Sequence, residues 1–376
     1  MPQLFQSFDR KKMVKMNIER VRNLMKKEHL DAIICNSMDD VRYLTGFSTF
    51  HGVLWAAIHI SVFTTDQETP TLYTLPYMID YVKETVPWID VQEESMNMPT
   101  TIQKLLQEHK IEKGRIGLGS LVSYGLGKAL ENTLPYATLI NSSMMAEARS
   151  IKNDEEIKIL SEASAVAEMG MNAAIEACNE GVREYEVAAA AEYAMRNAGA
   201  EAPAFSAIVM SGENASICKE LSTDKRLRRG DLVLIDQGAL YEGYNSEFAR
   251  TAIVGTPTKE QKEIYSLVLE AEQKTIQAIK PGAKCSYIDG VSRKIFKDAG
   301  YERYTHKYGT GHGLGTATWE APSIDPSNNT TLQPGMFVAV EPGIHKRGFG
   351  GIRIEDNILV TEHGPKVFTK TRYWDI

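Results

Sequence analysis

The chain has 376 residues, with 49 acidic and 42 basic side chains and a formal net charge of −7. Hydrophobic residues make up 43% and charged residues 24%, an ordinary globular composition that excludes a disordered, collagen-like or coiled-coil chain. The acidic balance argues against a general nucleic-acid-binding protein, because such a protein needs a basic face to neutralise phosphates. The length predicts two domains, since a single core stops growing near roughly 250–300 residues.

The N-terminal part alternates helix-like and strand-like segments, which predicts a smaller α/β domain over residues 1–150. Hydrophobic spacing predicts helices at residues 12–29 and 101–109, and apolar runs predict strands at residues 31–35, 52–63, 71–75 and 115–118. Residues 141–153 lose periodicity and place the domain boundary near Arg149.

The remaining chain, residues 151–376, repeats one order of elements twice. Two predicted helices at 154–179 and 184–197 precede strands at 207–210, 231–240 and 244–254. Helices at 258–279 and 286–300 then precede strands at 308–314, 336–341 and 351–360. Thr258 and Gln261 have the spacing of a capping box at the start of the third helix. This order predicts a domain built from two similar halves.

Two carboxylates stand in a predicted hairpin, LVLIDQGALYEGYNSEFART. Burying the lone carboxylate of Asp236 in an apolar strand is costly unless it is paired or binds a metal. A turn at Tyr241 and Glu242 puts Glu247 opposite Asp236, whereas a turn at Glu242 and Gly243 puts it diagonally on the same face. A three-residue loop centred on Glu242 would not bring them together. In either two-residue register the two carboxylates repel each other unless a cation or a proton lies between them.

His312 stands between glycines in GTGHGLG, where the backbone can approach a ligand closely, although a glycine-rich turn with a satisfied histidine has the same pattern. Glu341 (VEPGI) and Glu355 (IRIED) flank a predicted loop at residues 345–351, and each alone fits a salt bridge as well as a ligand. Taken together, the five side chains suit a pair of Mn²⁺, Co²⁺, Fe²⁺ or Zn²⁺ ions. These five candidate ligands are Asp236, Glu247, His312, Glu341 and Glu355.

The motifs DQG…YNSEFART, GTGHGLG, VEPGI and GIRIED, with DDVRYLTGF near the N-terminus, together resemble the creatinase/prolidase/methionine aminopeptidase family of pita-bread metallopeptidases. The Xaa-Pro dipeptidase and aminopeptidase P branch is the most similar. The resemblance implies an α+β fold, in which a pita-bread catalytic domain of two α-α-β-β halves around a curved antiparallel sheet follows a smaller α/β domain. It also implies a homodimer.

The resemblance further implies two divalent metal ions on the five candidate ligands and hydrolysis of a dipeptide or N-terminal peptide bond, in particular Xaa-Pro, through a metal-bridging hydroxide. Asp236 would bind one ion, Glu247 and Glu355 would bridge both, and His312 and Glu341 would hold the other. Glu341 and His312 would also act in catalysis, with Glu341 accepting and returning a proton.

Three positions depart from the family pattern. Glu247 replaces an aspartate, and Lys219 and Trp319 replace histidines that contact substrate or the developing oxyanion. Lys219 would bind a substrate carboxylate or face solvent, and Trp319 would stack on a ring or pack. These losses keep two alternatives open, a creatinase-like hydrolase of a non-peptide C–N bond and a catalytically silent binding module. The retention of all five ligands argues against the silent module.

Three further residues are candidates for the surroundings of the site. Arg353 lies on the strand face of Glu355 and is expected to brace a carboxylate. His345 would replace a missing donor or lie exposed on its loop, and Tyr244 would line the pocket or pack in the core.

The cysteine pattern and the apolar pattern point to the cytoplasm. The four cysteines are far apart and form no CxxC pair, which predicts reduced thiols rather than disulfides or a structural zinc site. No apolar run follows the basic residues 10–12, so no signal peptide is expected. The longest apolar stretch, residues 53–63, is much shorter than the ~20 residues of a membrane helix.

Overall fold

The computed structural model describes residues 7–49, 59–95 and 97–371. They form two compact units, one containing Ser7–Arg149 with Asn153–Glu155, and the other containing Ser150–Lys152 with the residues from Glu156 onward. Within the described ranges, no helix is long and apolar enough to cross a membrane.

The N-terminal unit is a six-stranded mixed sheet with helices. Its strands are β1 (Ala32–Cys35), β2 (Ile60–Thr64), β3 (Thr71–Thr74), β4 (Asp90–Glu93), β5 (Arg115–Leu118) and β6 (Thr138–Asn141), in the order β4-β3-β2-β1-β5-β6. Its helices are α1 (Arg10–Glu28), α2 (Met38–Thr45), α3 (Ile79–Thr85), α4 (Met98–Glu108), α5 (Tyr124–Thr133) and α6 (Met144–Ser150), with a 3₁₀ turn at Pro76–Met78. The sheet confirms the predicted α/β character of this part.

Two segments of this unit, residues 52–63 and 141–153, had been interpreted from the sequence. The predicted strand at 52–63 falls mainly outside the described residues, and β2 begins only at Ile60. Residues 141–153, whose sequence loses periodicity, contain α6. Met144, Met145 and Ala148 are buried along one face of this helix, and a seven-residue helix is too short for periodicity to reveal.

The second unit contains the two predicted halves. Its helices are α7 (Asp154–Ala177), α8 (Glu184–Asn197), α9 (Glu213–Ser216), α10 (Lys259–Ala278) and α11 (Cys285–Asp298), with a 3₁₀ turn at Glu302–Tyr304. The first half contributes strands β7 (Ala202–Pro203), β8 (Ile208–Ser211), β9 (Leu232–Gln237), β10 (Ala239–Tyr241), β11 (Tyr244–Asn245) and β12 (Phe248–Ile253). The second contributes β13 (Gly311–Gly313), β14 (Glu320–Ile324), β15 (Phe337–Val340), β16 (Gly343–Lys346), β17 (Gly350–Arg353), β18 (Asp356–Thr361) and β19 (Gly364–Val367).

Antiparallel sheets carry the site in both halves. β9 lies between β8 and β12, and the second half has the order β14-β13-β15-β18-β19. The two halves meet where Thr251 of β12 donates its hydroxyl hydrogen bond to the carbonyl oxygen of Arg353 at 3.0 Å. The predicted capping box is present at α10, where Thr258 and Gln261 bond each other's backbone N–H groups. The arrangement confirms the predicted α+β architecture.

Apolar packing holds each pair of helices against its strands. Met171 of α7, Val187 of α8 and Ile235 of β9 belong to one fully buried cluster. In the second half, Ile288 of α11 packs in a cluster with Val338 of β15. Burial of such side chains stabilises the fold by about 1.5–3 kcal/mol each. The strands that carry the candidate ligands are therefore rigidly supported from behind.

A tight turn fixes the register of the hairpin that carries Asp236 and Glu247. Leu240 pairs with Asn245 and Tyr241 with Tyr244, which leaves Glu242 and Gly243 as a two-residue turn. Both turn residues have positive φ, 50° and 80°, as a type I′ turn requires. Of the two registers that the sequence allowed, the structure has the one in which Glu247 lies diagonal to Asp236.

Replacing the turn glycine tests this geometry. We predict that Gly243→Ala lowers stability by about 1 kcal/mol or more, because an L-residue is strained at a φ of 80°. A matched control is Gly290→Ala inside α11, where an added Cβ meets nothing within 4 Å and should stabilise by roughly 0.5–1 kcal/mol. Thermal unfolding would show shifts of opposite sign, and shifts of the same sign would contradict the turn assignment.

Candidate metal centre

The hairpin places the first two candidate ligands on one face. Asp236 in β9 pairs with Ala249 in β12, so Glu247, two residues earlier on the partner strand, lies diagonally beside it. A Cβ on Gly238 would come within 1.8 Å of the carbonyl oxygen of Ser246, so only glycine fits at this crossing. The glycine of the DQG motif therefore permits the close strand approach that brings the two carboxylates together.

His312 is held in β13 by its flanking glycines. A Cβ at Gly311 would lie 2.1 Å from the carbonyl oxygen of Ala339, and one at Gly313 would lie 2.3 Å from that of Ala321. Glycine is required on both sides because the neighbouring strands press against this backbone. The predicted close approach is thus made by protein backbone, and His312 is the only side chain of this short strand.

Glu341 and Glu355 stand at adjacent strand ends. Glu341 follows the last residue of β15, Val340, which pairs with Asp356, the first residue of β18. Glu355 directly precedes that strand, and its N–H donates to the carbonyl oxygen of Ala249 at 3.1 Å. This bond ties Glu355 to the strand that follows Glu247, so both halves of the unit contribute to one cluster.

The five side chains converge. His312 Nε2 lies 3.7 Å from Glu247 Oε2 and 3.7 Å from Glu341 Oε1. Ligand atoms of Glu247, His312 and Glu355 all lie within 4.8 Å of one another, and all three residues are buried. The longer side chain of Glu247 thus still reaches the cluster from the position where the family has aspartate.

The donor set fits divalent cations. Within the part of the chain that the structure describes, buried atoms with no hydrogen-bond partner include Asp236 Oδ1, Glu247 Oε2, His312 Nε2 and both carboxylate oxygens of Glu355. Burying so many unpaired acceptors is costly unless an ion binds them. His312 Nδ1 lies 3.0 Å from the carbonyl oxygen of Gly313. Because a carbonyl only accepts, Nδ1 carries the proton and Nε2 presents its lone pair to the cluster.

Without cations the cluster favours protonated carboxyl groups. Burial, followed by repulsion from neighbouring carboxylates, raises the pKa of Glu247 and Glu355 well above the usual range. Burial also raises the pKa of Asp236 and of Glu341. Burial lowers the pKa of His312 to about 4, so its imidazole is neutral at pH 7 and is able to bind a metal.

Arg353 is the cation that faces the cluster. Its Nη1 donates to Asp236 Oδ2 and lies 3.5 Å from Glu341 Oε2, and the side chain is only 5% exposed. Its backbone N–H donates to Thr251 Oγ1 at 3.1 Å, which fixes the strand that carries it. The guanidinium therefore orients Asp236 and offsets part of the buried negative charge.

The comparisons with known proteins agree with this geometry. The profile of metallopeptidase family M24 matches residues 158–362, and that of the creatinase/prolidase N-terminal domain matches residues 17–151. The chain belongs to metallopeptidase family M24. It is 36% identical to the Xaa-Pro dipeptidase of Pyrococcus horikoshii, over 94% of this chain and 97% of the relative.

Solved structures show the same fold. The Xaa-Pro dipeptidase of Bacillus anthracis has a TM-score of 0.87 at 30% identity, covering 96% of this chain and 99% of that one. The prolidase of P. horikoshii has a TM-score of 0.85 at 35% identity, covering 95% and 99%. The sequence-based resemblance is thus confirmed, and this M24 member is a metallopeptidase whose family implies divalent metal cofactors.

A row of rings leads away from the metal centre of this M24 protein. The Trp319 ring lies 4.7 Å from the His312 ring and 6.2 Å from Tyr308. The His306 ring lies 4.8 Å from Tyr308 and 4.7 Å from His345. Trp319 is 62% exposed, so its ring faces open space beside the centre rather than packing in the core.

The segment around His345 differs from its prediction. The predicted loop at 345–351 is wrong, because His345 in β16 pairs with Gly351 in β17 and only residues 347–349 form the turn. A glycine-rich sequence reads as a loop, but here Gly351 packs against the backbone of Ala215. His345 is half-buried, and its Nδ1 donates to the carbonyl oxygen of Ala215 at 2.7 Å.

Lys219 and Tyr244 lie in different surroundings. Lys219 is exposed on the loop after α9, next to Cys218. Tyr244 is 2% exposed and its hydroxyl donates to Glu156 at 3.1 Å, which anchors the hairpin tip to α7. Lys219 is thus accessible to solvent and ligands, whereas Tyr244 is buried and hydrogen-bonded.

Sequence reasoning missed three residues beside the centre, Cys218, His306 and Tyr308. Arg353 Nη2 donates to His306 Nε2 at 3.1 Å and lies 3.9 Å from Cys218 Sγ. The only sequence signals were the proximity of His306 and Tyr308 to the GTGHGLG motif and the position of Cys218 next to Lys219.

The raised carboxyl pKa values predict how metal stabilises the fold. Glu247 and Glu355 have folded pKa values above their unfolded values, near about 4. Their contribution to the stability of the metal-free protein is therefore fully present below pH ~4 and is lost as pH rises through the folded pKa values. A bound cation favours the ionised groups and prevents that loss.

We therefore predict that the difference in melting temperature between metal-loaded and chelator-treated protein grows as pH rises from about 4 to 8. Thermal melts at several pH values measure it. Glu355→Gln removes one titrating group and should reduce both the difference and its pH dependence. A difference that stays constant with pH would contradict the assigned cluster.

Proposed function

We propose that the protein is a dinuclear metal-dependent dipeptidase that hydrolyses Xaa-Pro dipeptides. The observation that carries the proposal is the set of buried ligand atoms without hydrogen-bond partners that converge between the two halves. The names of relatives that share the whole fold, Xaa-Pro dipeptidase and prolidase, supply the substrate class. The presence of all five candidate ligands favours this activity over the creatinase-like and the silent alternatives.

Each ligand has a position suited to one role. Asp236 would hold the first ion, Glu247 and Glu355 would bridge, and His312 with Glu341 would hold the second. Glu355 supports a bridging role because neither carboxylate oxygen has another partner. The oxygen-rich set fits Mn²⁺, Co²⁺, Fe²⁺ or Zn²⁺. When bound, two such ions acidify a water and polarise the scissile carbonyl.

The chain's own groups move the proton and orient the site. Glu341 is buried with a raised pKa, and its Oε1 faces His312 while its Oε2 faces Arg353. A carboxyl group in that position accepts a proton from the attacking water and returns it to the leaving amine. Arg353 holds Asp236 in place, and the Gly313 carbonyl fixes the tautomer of His312.

The row of rings beside the centre offers contacts for the substrate. The exposed face of Trp319, beside His312, offers a flat apolar surface for the proline ring. Lys219 is exposed on the loop after α9, next to Cys218, and binds the terminal carboxylate of the dipeptide. His345 does not replace the missing histidines as a donor, because its one N–H is bonded to the carbonyl oxygen of Ala215. The row of rings therefore makes the substrate contacts that histidines make in the family pattern.

We also propose a homodimer in the cytoplasm. The dimer rests on the family resemblance, and the location on the cysteines, all four of which are free thiols. Light scattering of the purified protein tests the dimer.

Removing a ligand tests the metal assignment. We predict that Asp236→Asn lowers both metal content, measured by elemental analysis, and kcat/KM on an Xaa-Pro panel, the latter by at least about a hundredfold. Asp224→Asn, which changes an exposed aspartate, is the matched control and should leave both unchanged. Unchanged metal content in Asp236→Asn would remove Asp236 from the ligand set. A metal-loaded protein without peptidase activity would contradict the function.

Removing the ring tests the substrate side. We predict that Trp319→Ala raises KM for Xaa-Pro dipeptides by about 2- to 10-fold, because a ring contact contributes about 0.5–1.5 kcal/mol. Metal content should not change. Tyr193→Ala, which removes an exposed ring on α8, is the control. An unaltered KM would show that Trp319 does not contact the substrate.

A further inference from the structure

A second group of metal-binding side chains lies next to the carboxylate cluster. One ligand atom each from Cys218, His306 and His345 lies within 4.8 Å of the others. The three residues come from the loop after α9, the segment before β13 and strand β16. None of them belongs to the five candidate ligands. Their chemistry is also different, since they offer sulfur and nitrogen rather than oxygen.

Hydrogen bonds fix both imidazoles in the form that binds metals. His345 Nδ1 faces the carbonyl oxygen of Ala215, which only accepts, so Nδ1 carries the proton and Nε2 is unprotonated. That Nε2 is buried and has no hydrogen-bond partner among the described residues. His306 Nε2 faces Arg353 Nη2, which only donates, so this nitrogen also presents its lone pair. For His345, the backbone partner on the second nitrogen is typical of metal-binding histidines. For His306, the lone pair on Nε2 is occupied by the N–H of Arg353, which an ion would have to displace.

Both histidines are neutral at pH 7. Burial, followed by repulsion from Arg353, lowers the pKa of His306 to about 2 and that of His345 to about 4. Burial raises the pKa of the Cys218 thiol to about 11, although Arg353 opposes this. A coordinated cation deprotonates such a thiol outright.

The charges nearby balance a divalent ion. Glu220 Oε1 lies 3.7 Å from Cys218 Sγ, which puts a carboxylate beside the sulfur although Glu220 lies outside the group of three. With thiolate and carboxylate each carrying −1, a divalent ion gives a locally neutral group, which tolerates the guanidinium of Arg353. An ion on His306 Nε2 replaces one hydrogen bond from Arg353 Nη2, and Nη1 keeps its contact to Asp236.

The loop that carries Cys218 is held in place by a buried carboxylate. Glu184, at the start of α8, accepts hydrogen bonds from Ser211, Asn214 and Thr223. These contacts fasten the loop on both sides of Cys218. Cys218 itself has a φ of 47°, a left-handed conformation that non-glycine residues rarely adopt. The backbone thus holds the thiol toward the two histidines instead of leaving it on a free loop.

We propose that Cys218, His306 and His345, with Glu220 as fourth ligand, form a separate site for one thiophilic divalent cation such as Zn²⁺. On binding, the Cys218 S–H bond breaks, the sulfur–metal bond forms and the proton goes to solvent. A tetrahedral zinc site has ligand atoms about 3.4–3.8 Å apart, so side-chain rotations of about 1 Å complete the coordination.

Cobalt spectroscopy distinguishes this site from the carboxylate centre. Protein loaded with Mn²⁺ is titrated with Co²⁺, and the near-ultraviolet thiolate-to-cobalt charge-transfer band is recorded. Co²⁺ that enters the carboxylate centre gives no such band, because that centre has no sulfur ligand. We expect a band that saturates near about one Co²⁺ per chain and that Zn²⁺ abolishes by competition.

Variants assign the band to its ligands. Cys218→Ser should abolish it, His345→Gln should weaken Co²⁺ binding at least about tenfold, and the matched control Cys178→Ser should retain it. Glu355→Gln, which damages the carboxylate centre, should also retain it, so failure of the peptidase assignment is recognised separately. Zn²⁺ should in addition slow alkylation of Cys218 in the unaltered protein, as followed by mass spectrometry. A missing band, a band that persists in Cys218→Ser, or alkylation indifferent to Zn²⁺ would overturn the proposal.

Discussion

Uncompensated negative charge in an apolar interior is the constraint on which the catalytic unit depends. Four buried carboxylates, at Asp236, Glu247, Glu341 and Glu355, face one guanidinium, so four negative charges meet one positive charge and three remain. An interior that excludes water holds such an excess only with protons or cations. The raised pKa of the Glu355 carboxyl group favours bound protons in the absence of cations. The ligand atoms without hydrogen-bond partners among the described residues are arranged to bind cations.

Much of this centre could be predicted because its ligands sit in local patterns. Glycines beside His312 and the apolar strands around Asp236 are consequences of close backbone packing, and that packing leaves a signature within a few residues. The sequence limited the register of this hairpin to a few choices but did not decide between them. Both two-residue registers put Glu242 in the turn, and the structure has the one whose second turn residue is Gly243, with a φ of 80° that glycine adopts readily.

Other features left no local signal. Strand β14, Glu320–Ile324, contains a proline and lacks clean alternation, so its place beside β13 comes from tertiary pairing alone. The short helix α6 offers too few turns for a period. Cys218, His306 and His345 are far apart in sequence, and only the folded sheets bring them together. Sequence motifs reveal a site when the residues beside each ligand are constrained by close packing. They do not reveal a site whose ligands come one at a time from separate loops and strand edges.

Arg353 lies at the boundary between two sets of donors with opposite preferences. One nitrogen of its guanidinium faces the hard oxygens of Asp236 and Glu341, and the other faces the nitrogen of His306 and the sulfur of Cys218. Burial, followed by repulsion from this arginine, lowers the pKa of both histidines and keeps them neutral. Because oxygen-rich sites favour hard ions and thiolates favour zinc, the two proposed centres would take different ions, and Arg353 would lie between them.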